Sequence, residues 1–176
     1  MKQITVFYDA EKSSCRKYVE ELERYENVTC KIARDFQSEK IIFEDGKVVL
    51  FLFESEKGSI PKEIRYLISH LIMGKTEKHA LVVTGGSREF NALRVAHSLL
   101  EERGFQVKNL YTEYVLEKNG YNVVSAVRKI MNDLERGNEN LLFREEEGKI
   151  PRKEIRKRLR DELKKYKLYR KRHRSE

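Results

Sequence analysis

The sequence predicts a doubly wound α/β domain: a five-stranded parallel sheet with helices on both faces. Three observations predict it. Short β-branched and aromatic runs alternate with segments whose apolar residues recur every three or four positions, and strands alternating with helices specify parallel βαβ units. Positions 48–53 are six successive apolar residues, the pattern of a strand covered on both faces. Right-handed crossovers then restrict the topology, and five strands suit the order 2-1-3-4-5.

Residues 4–8, Ile-Thr-Val-Phe-Tyr, read as the first strand. Cys15, Tyr18, Val19, Leu22 and Tyr25 recur at helical spacing, so 13–25 is a helix. Residues 28–33 make a weaker second strand, and 35–45 read as a short helix or a loop. Gly46 opens the third strand at 47–53. Pro61 suits the first turn of a helix that carries Ile64, Leu67, Ile68, Leu71 and Ile72 on one stripe and stops at Gly74. Residues 80–83 form a fourth strand running into Thr84-Gly85-Gly86-Ser87. Ala92, Leu93, Ala96, Leu99 and Leu100 mark a helix closed by Gly104, with His97 expected on its solvated side. Residues 105–116 hold a fifth strand, and Val123, Val127, Ile130, Met131 and Leu134 mark a last helix ending near Gly137.

Charged residues make up 38 % of the 176 and hydrophobic ones 39 %, so surplus charge lies outside the core. It is unevenly placed. Residues 149–176 hold 14 Lys+Arg against 4 Asp+Glu, a net of +10; residues 1–148 hold 23 against 25, a net of −2. The chain therefore reads as a domain at 1–148 and a basic appendage at 149–176, and any polyanionic partner belongs to the appendage. Six apolar residues are far short of a bilayer span, so no membrane insertion is expected. Asp9 interrupts the start before a signal-peptide core forms, and two cysteines, Cys15 and Cys30, make no disulfide framework; a reducing, cytoplasmic location is expected.

In a sheet of this winding, ligands bind beyond the carboxyl ends of the strands, where the winding reverses. Three loops meet there: 9–14, 54–60 and 84–89. Backbone N–H groups and hydroxyls at a helix N-terminus suit a phosphate dianion, and the first loop offers Lys12, Ser13 and Ser14. The second holds Ser55, Gly58 and Ser59 ahead of Pro61. The third holds Thr84, Gly85 and Gly86, small residues that let a backbone approach a flat ring, followed by Phe90.

On this order of elements and these loops, residues 2–137 resemble the flavodoxin-like family. The family's first loop reads approximately T/S-x-T-G-x-T; the matching stretch here is Tyr8-Asp9-Ala10-Glu11-Lys12-Ser13-Ser14-Cys15, without the glycine and with Asp9 and Glu11 beside the phosphate position. The resemblance implies non-covalently bound FMN, its phosphate on Lys12, Ser13 and Ser14. Its ring would rest between Ser55, Gly58 and Ser59 on one side and Thr84, Gly85, Gly86 and Phe90 on the other. It also implies electron transfer to a redox partner protein, or NAD(P)H-dependent reduction of a small-molecule acceptor, with a homodimer as one assembly open to it. An enzyme acting on a phosphorylated small molecule would use the same cleft.

A purely structural reading accounts for the same residues. Ser13 and Ser14 cap a helix, Gly85-Gly86 form a strand-to-helix turn, Phe90 packs on the core side of its helix, and Cys15 is a buried, inert thiol. His70 and His79 have no ligand-spaced partner, so no metal site is expected. Gly74-Lys75-Thr76 lacks the first glycine and the preceding strand of a phosphate-binding loop. In the appendage, Pro151 begins a helix whose stripe is Ile155, Leu159, Leu163 and Tyr166, nearly all else being Lys or Arg. Three readings stay open: its stripe docks on the body or a second subunit, its cations bind nucleic acid in a salt-dependent way, or it lies on an anionic membrane surface, against which a single narrow stripe without Trp argues. The second functional reading is thus a cofactor-less flavodoxin-like interaction module that binds nucleic acid or a protein through residues 149–176.

Overall fold

The six-residue apolar run becomes part of β4 (Val48–Ser55) in the computed structural model, which describes residues 1–140 and then residues 156, 157, 160, 161, 163–165, 167, 168 and 171. Period-two pleating sends Val49, Phe51 and Phe53 to one side of β4 and Val48, Leu50 and Leu52 to the other. Both sides must therefore be covered, and two separate apolar layers cover them. β4 pairs in parallel with β1 (Ile4–Tyr8) and β6 (His79–Gly86); β1 pairs with β2 (Val28–Ile32), and β6 with β7 (Val107–Thr112). Helices α2 (Lys62–His70) and α3 (Glu89–Glu102) cover one face through Ile64, Leu67, Ala92 and Leu93. Helices α1 (Ser13–Leu22), α4 (Glu113–Lys118) and α5 (Val123–Arg136) cover the other through Cys15, Val19, Leu116, Val127 and Ile130.

The sheet is the expected five-stranded parallel one, but its order along the chain numbering is β2-β1-β4-β6-β7 rather than 2-1-3-4-5. Two three-residue strands intervene, β3 (Ile42–Glu44) and β5 (Leu71–Met73), and pair with each other in a separate parallel sheet. Residues 35–45, open to a helix or a loop, hold the end of a 3-10 turn (Ala33–Phe36) and then β3. Leu71 and Ile72, expected on a helical stripe, leave α2: Leu71 is extended at φ −76°, ψ 133°. The Arg103 guanidinium donates to the Ile68 and Leu71 carbonyls and so satisfies the end of α2. β3 is fixed by Glu44, whose buried carboxylate accepts from Thr5 Oγ1 at 2.9 Å, Lys47 Nζ at 2.8 Å and Lys31 Nζ. Burial alone would raise its pKa, yet these donors hold it below the usual carboxylate range.

Other boundaries also differ. α1 stops at Leu22, not at Tyr25, and starts at Ser13, with Lys12 as a cap that makes no side-chain bond. Within 105–116 the fifth strand ends at Thr112, and Glu113–Lys118 are α4, capped by Thr112 Oγ1 accepting from Val115 N at 3.3 Å. α5 has a reciprocal cap between Asn122 and Ser125 and ends on Gly137 at φ +67°. His97 is half-buried rather than solvated, with Nε2 at 3.2 Å from the Val107 carbonyl and 3.2 Å from Glu101. No helix among the described residues is long and apolar enough to cross a membrane.

The chain divides into two units, Met1–Phe143 and Arg144–Glu176. In the second, the described residues are helical and exposed: Arg156, Lys157, Arg160, Lys164, Lys165, Lys167 and Lys171 carry positive charge, and Asp161 a negative one. Of the expected stripe, Leu163 is exposed; Ile155, Leu159 and Tyr166 lie outside the described residues.

His79 joins these layers without solvent. Its Nδ1 accepts from Val49 N at 3.0 Å and its Nε2 donates to the Gly74 carbonyl at 2.6 Å, so the neutral ring is the form that fits. Burial pushes its pKa below the ordinary 6.5. The unfolded chain binds a proton that the native chain excludes, so stability falls as pH drops below 6.5. His79→Gln is expected to flatten the slope of stability against pH between about 6.5 and 5, read from urea unfolding at a series of pH values.

Candidate functional site

The carboxyl ends of β1, β4, β6 and β7 form one rim, and the predicted loops meet there. Ser14 opens α1 within reach of two strands: its Oγ donates to Glu54 Oε2 at 2.8 Å and lies 2.8 Å from Thr84 Oγ1. Thr84 Oγ1 also lies 3.3 Å from Cys15 Sγ. A hydroxyl has one proton to give. The consistent arrangement is a chain in which the Cys15 thiol donates to Thr84, Thr84 to Ser14, and Ser14 to the Glu54 carboxylate. Burial pushes the Cys15 thiol up to about 11, so it is held as an inert donor.

The second and third loops close on each other. Ser55 Oγ donates to the Ser87 carbonyl at 2.5 Å and accepts from Gly58 N at 3.0 Å. Asn91 Nδ2 donates to the Gly58 carbonyl at 2.6 Å. Glu56 and Ser59 exchange backbone bonds of 2.9 and 3.0 Å around Lys57 and Gly58, both at positive φ, the geometry of a tight mirror-type turn. At Gly86, φ is +86° and a Cβ would sit 2.2 Å from the Ser55 carbonyl oxygen. Its smallness thus serves the approach of β6 to β4. At Gly85 a Cβ would lie 2.8 Å from Glu113 Oε2. Phe90 packs against the α2–α3 layer and meets Tyr114 edge-on at 6.1 Å.

The candidates therefore divide into groups. Ser14 and Thr84 come together with Cys15; Ser55, Gly58, Ser59, Gly86 and the loop before Phe90 come together in the closed turn. Gly85 faces Glu113. Ser13 is exposed in the first turn of α1. Lys12 lies apart, on a cavity of about 250 Å³ between the 9–12 loop and the 3-10 turn, with Glu56 and Glu63 on its far side. Sequence reading missed Glu54 and Glu113, each standing directly at the end of a strand run, and missed Asn91. Burial pushes the Glu113 carboxyl above the usual range, and Glu117 and Glu54 add to this against Lys17.

No family profile and no curated protein matches this chain. Among solved structures, a response regulator from Colwellia psychrerythraea superposes with a TM-score of 0.49 at 16 % identity, covering 77 % of this chain and 99 % of that one. An NADH:FMN oxidoreductase in its apo form superposes with a TM-score of 0.49 at 8 % identity, covering 80 % and 91 %. At this distance they are similar in α/β layering and say nothing of ligand or partner.

Two variants check the rim. Gly86→Ala drives a Cβ into the Ser55 backbone and is expected to lower stability by about 3 kcal/mol in urea unfolding. Glu113 has a raised native pKa, so its charge opposes folding above the ordinary value of 4.5. Glu113→Gln is expected to melt higher than the parent at pH 7 and to lose that advantage as the pH falls toward 4.5.

Proposed function

We propose that this chain is a flavodoxin-like domain that works without a flavin, as an interaction module that binds nucleic acid through residues 149–176. The observation that carries the partner is the separation of charge, +10 in those residues against −2 in the rest. Such a segment neutralises phosphates and releases counterions whatever the base sequence.

The rim supports the first half of the reading. A flavin ring needs a slot between the second and third loops, where the Ser55–Ser87 and Asn91–Gly58 bonds run directly from loop to loop. A phosphate beside Ser14 meets the Glu54 carboxylate already bonded to that hydroxyl, and like charges at contact distance are repulsive. The residues present thus do not fit FMN.

The test uses the full chain and a chain ending at residue 148. With a fluorescein-labelled duplex, the full chain is expected to bind at 50 mM salt and to lose about a thousandfold in affinity by 200 mM, as for about six neutralised phosphates; the shortened chain is not expected to bind. No binding at 50 mM, or binding indifferent to the deletion, overturns the partner. Micromolar FMN is expected to give no flavin quenching. A yellow, quenched complex would restore the flavin reading, with Lys12, Ser13 and Ser14 on the phosphate.

A further inference from the structure

The charged cavity at Lys12 belongs to none of the contacts above. It opens at the carboxyl ends of β1 and β2 and is bounded on its far side by the loop after β4 and the first turn of α2. β1 and β4 are neighbours whose connections leave in opposite directions, to β2 and to β6. This is the point in an open α/β sheet where strand ends diverge and leave a crevice. About 250 Å³ is below the roughly 300 Å³ at which sites for drug-sized ligands begin, so the occupant is small.

The lining specifies its chemistry. Ile32 and Ala10 supply apolar surface. Arg34 is paired with Glu11, and Asp9 accepts from the Glu11 backbone at 3.0 Å. That leaves Lys12 on the first loop and Glu56 on the second, neither with a side-chain partner among the described residues, and Glu63, whose ion pair with the exposed Lys62 is long at 3.9 Å. A phosphate is disfavoured by four carboxylates facing two cations. A simple cation would leave the Lys12 ammonium unanswered.

We propose that this cavity binds a small basic α-amino acid. Its carboxylate pairs with Lys12, its ammonium groups with Glu56 and Glu63, and its methylenes lie on Ile32 and Ala10. The net charge of +1 on such a ligand offsets part of the lining's excess of two negative charges. The proposal is independent of the nucleic-acid reading, which concerns residues 149–176.

The test is calorimetry and thermal shift on the full chain with lysine, arginine, alanine, 1,4-diaminobutane and glutarate. Lysine or arginine is expected to bind with sub-millimolar affinity and raise the melting temperature, while glutarate has no effect. Lys12→Ala is expected to weaken lysine about tenfold or more and leave 1,4-diaminobutane unchanged. Glu56→Gln is expected to weaken both. Both side chains are at the surface, so unchanged circular dichroism and ligand-free melting will show that the variants fold. No binding at about 10 mM of either basic amino acid overturns the proposal. So does 1,4-diaminobutane binding as tightly as lysine with no response to Lys12→Ala, since the site would then recognise charge alone.

Discussion

Everything in the first unit depends on covering β4 from both sides. Val48 to Phe53 alternate between two apolar layers, and none of the six is exposed. Burial of a Val, Leu or Phe side chain contributes about 1.5–3 kcal/mol, so this strand alone commits the chain to helices on both faces. Because strands covered in this way are parallel, every connection crosses from one end of the sheet to the other, and all the strand-to-helix turns gather at one rim.

What the rim does follows from how its polar groups are used. A turn at the end of a buried strand has backbone and side-chain donors that must find partners. Here they find one another: Ser14 with Glu54 and Thr84, Ser55 with Ser87, Asn91 with Gly58. Donors and acceptors paired in this way already have partners within the chain. Beside Lys12, by contrast, charges of opposite sign line a cavity of about 250 Å³.

The sequence was legible where one period runs long enough. The 48–53 run shows itself as six apolar residues in succession, and the stripes of α1, α3 and α5 because one spacing repeats over helices of ten to fourteen residues. β3 and β5 have three residues each, too few for any period. Leu71 and Ile72 fit the stripe of α2 as well as they fit a strand. What decides between them is Arg103, more than thirty residues away, donating to the Leu71 carbonyl. The site was legible in the same limited way. Topology alone brings the three loops together, but Ser14 meeting Glu54 is a contact across 40 residues. No local pattern says whether a hydroxyl faces a ligand or a neighbour.

The same alternation has a consequence in the small sheet. Because Glu44 must turn inward to meet Thr5, Lys31 and Lys47, and Ile42 turns inward with it, Phe43 between them has no choice but water, with 67 % of its surface exposed. Its register partner Ile72 is exposed beside it, as is Ile41. An ion cluster that secures the interior thus gives the molecule a sticky outer spot, and concentrated solutions will be held apart mainly by their net charge of +8.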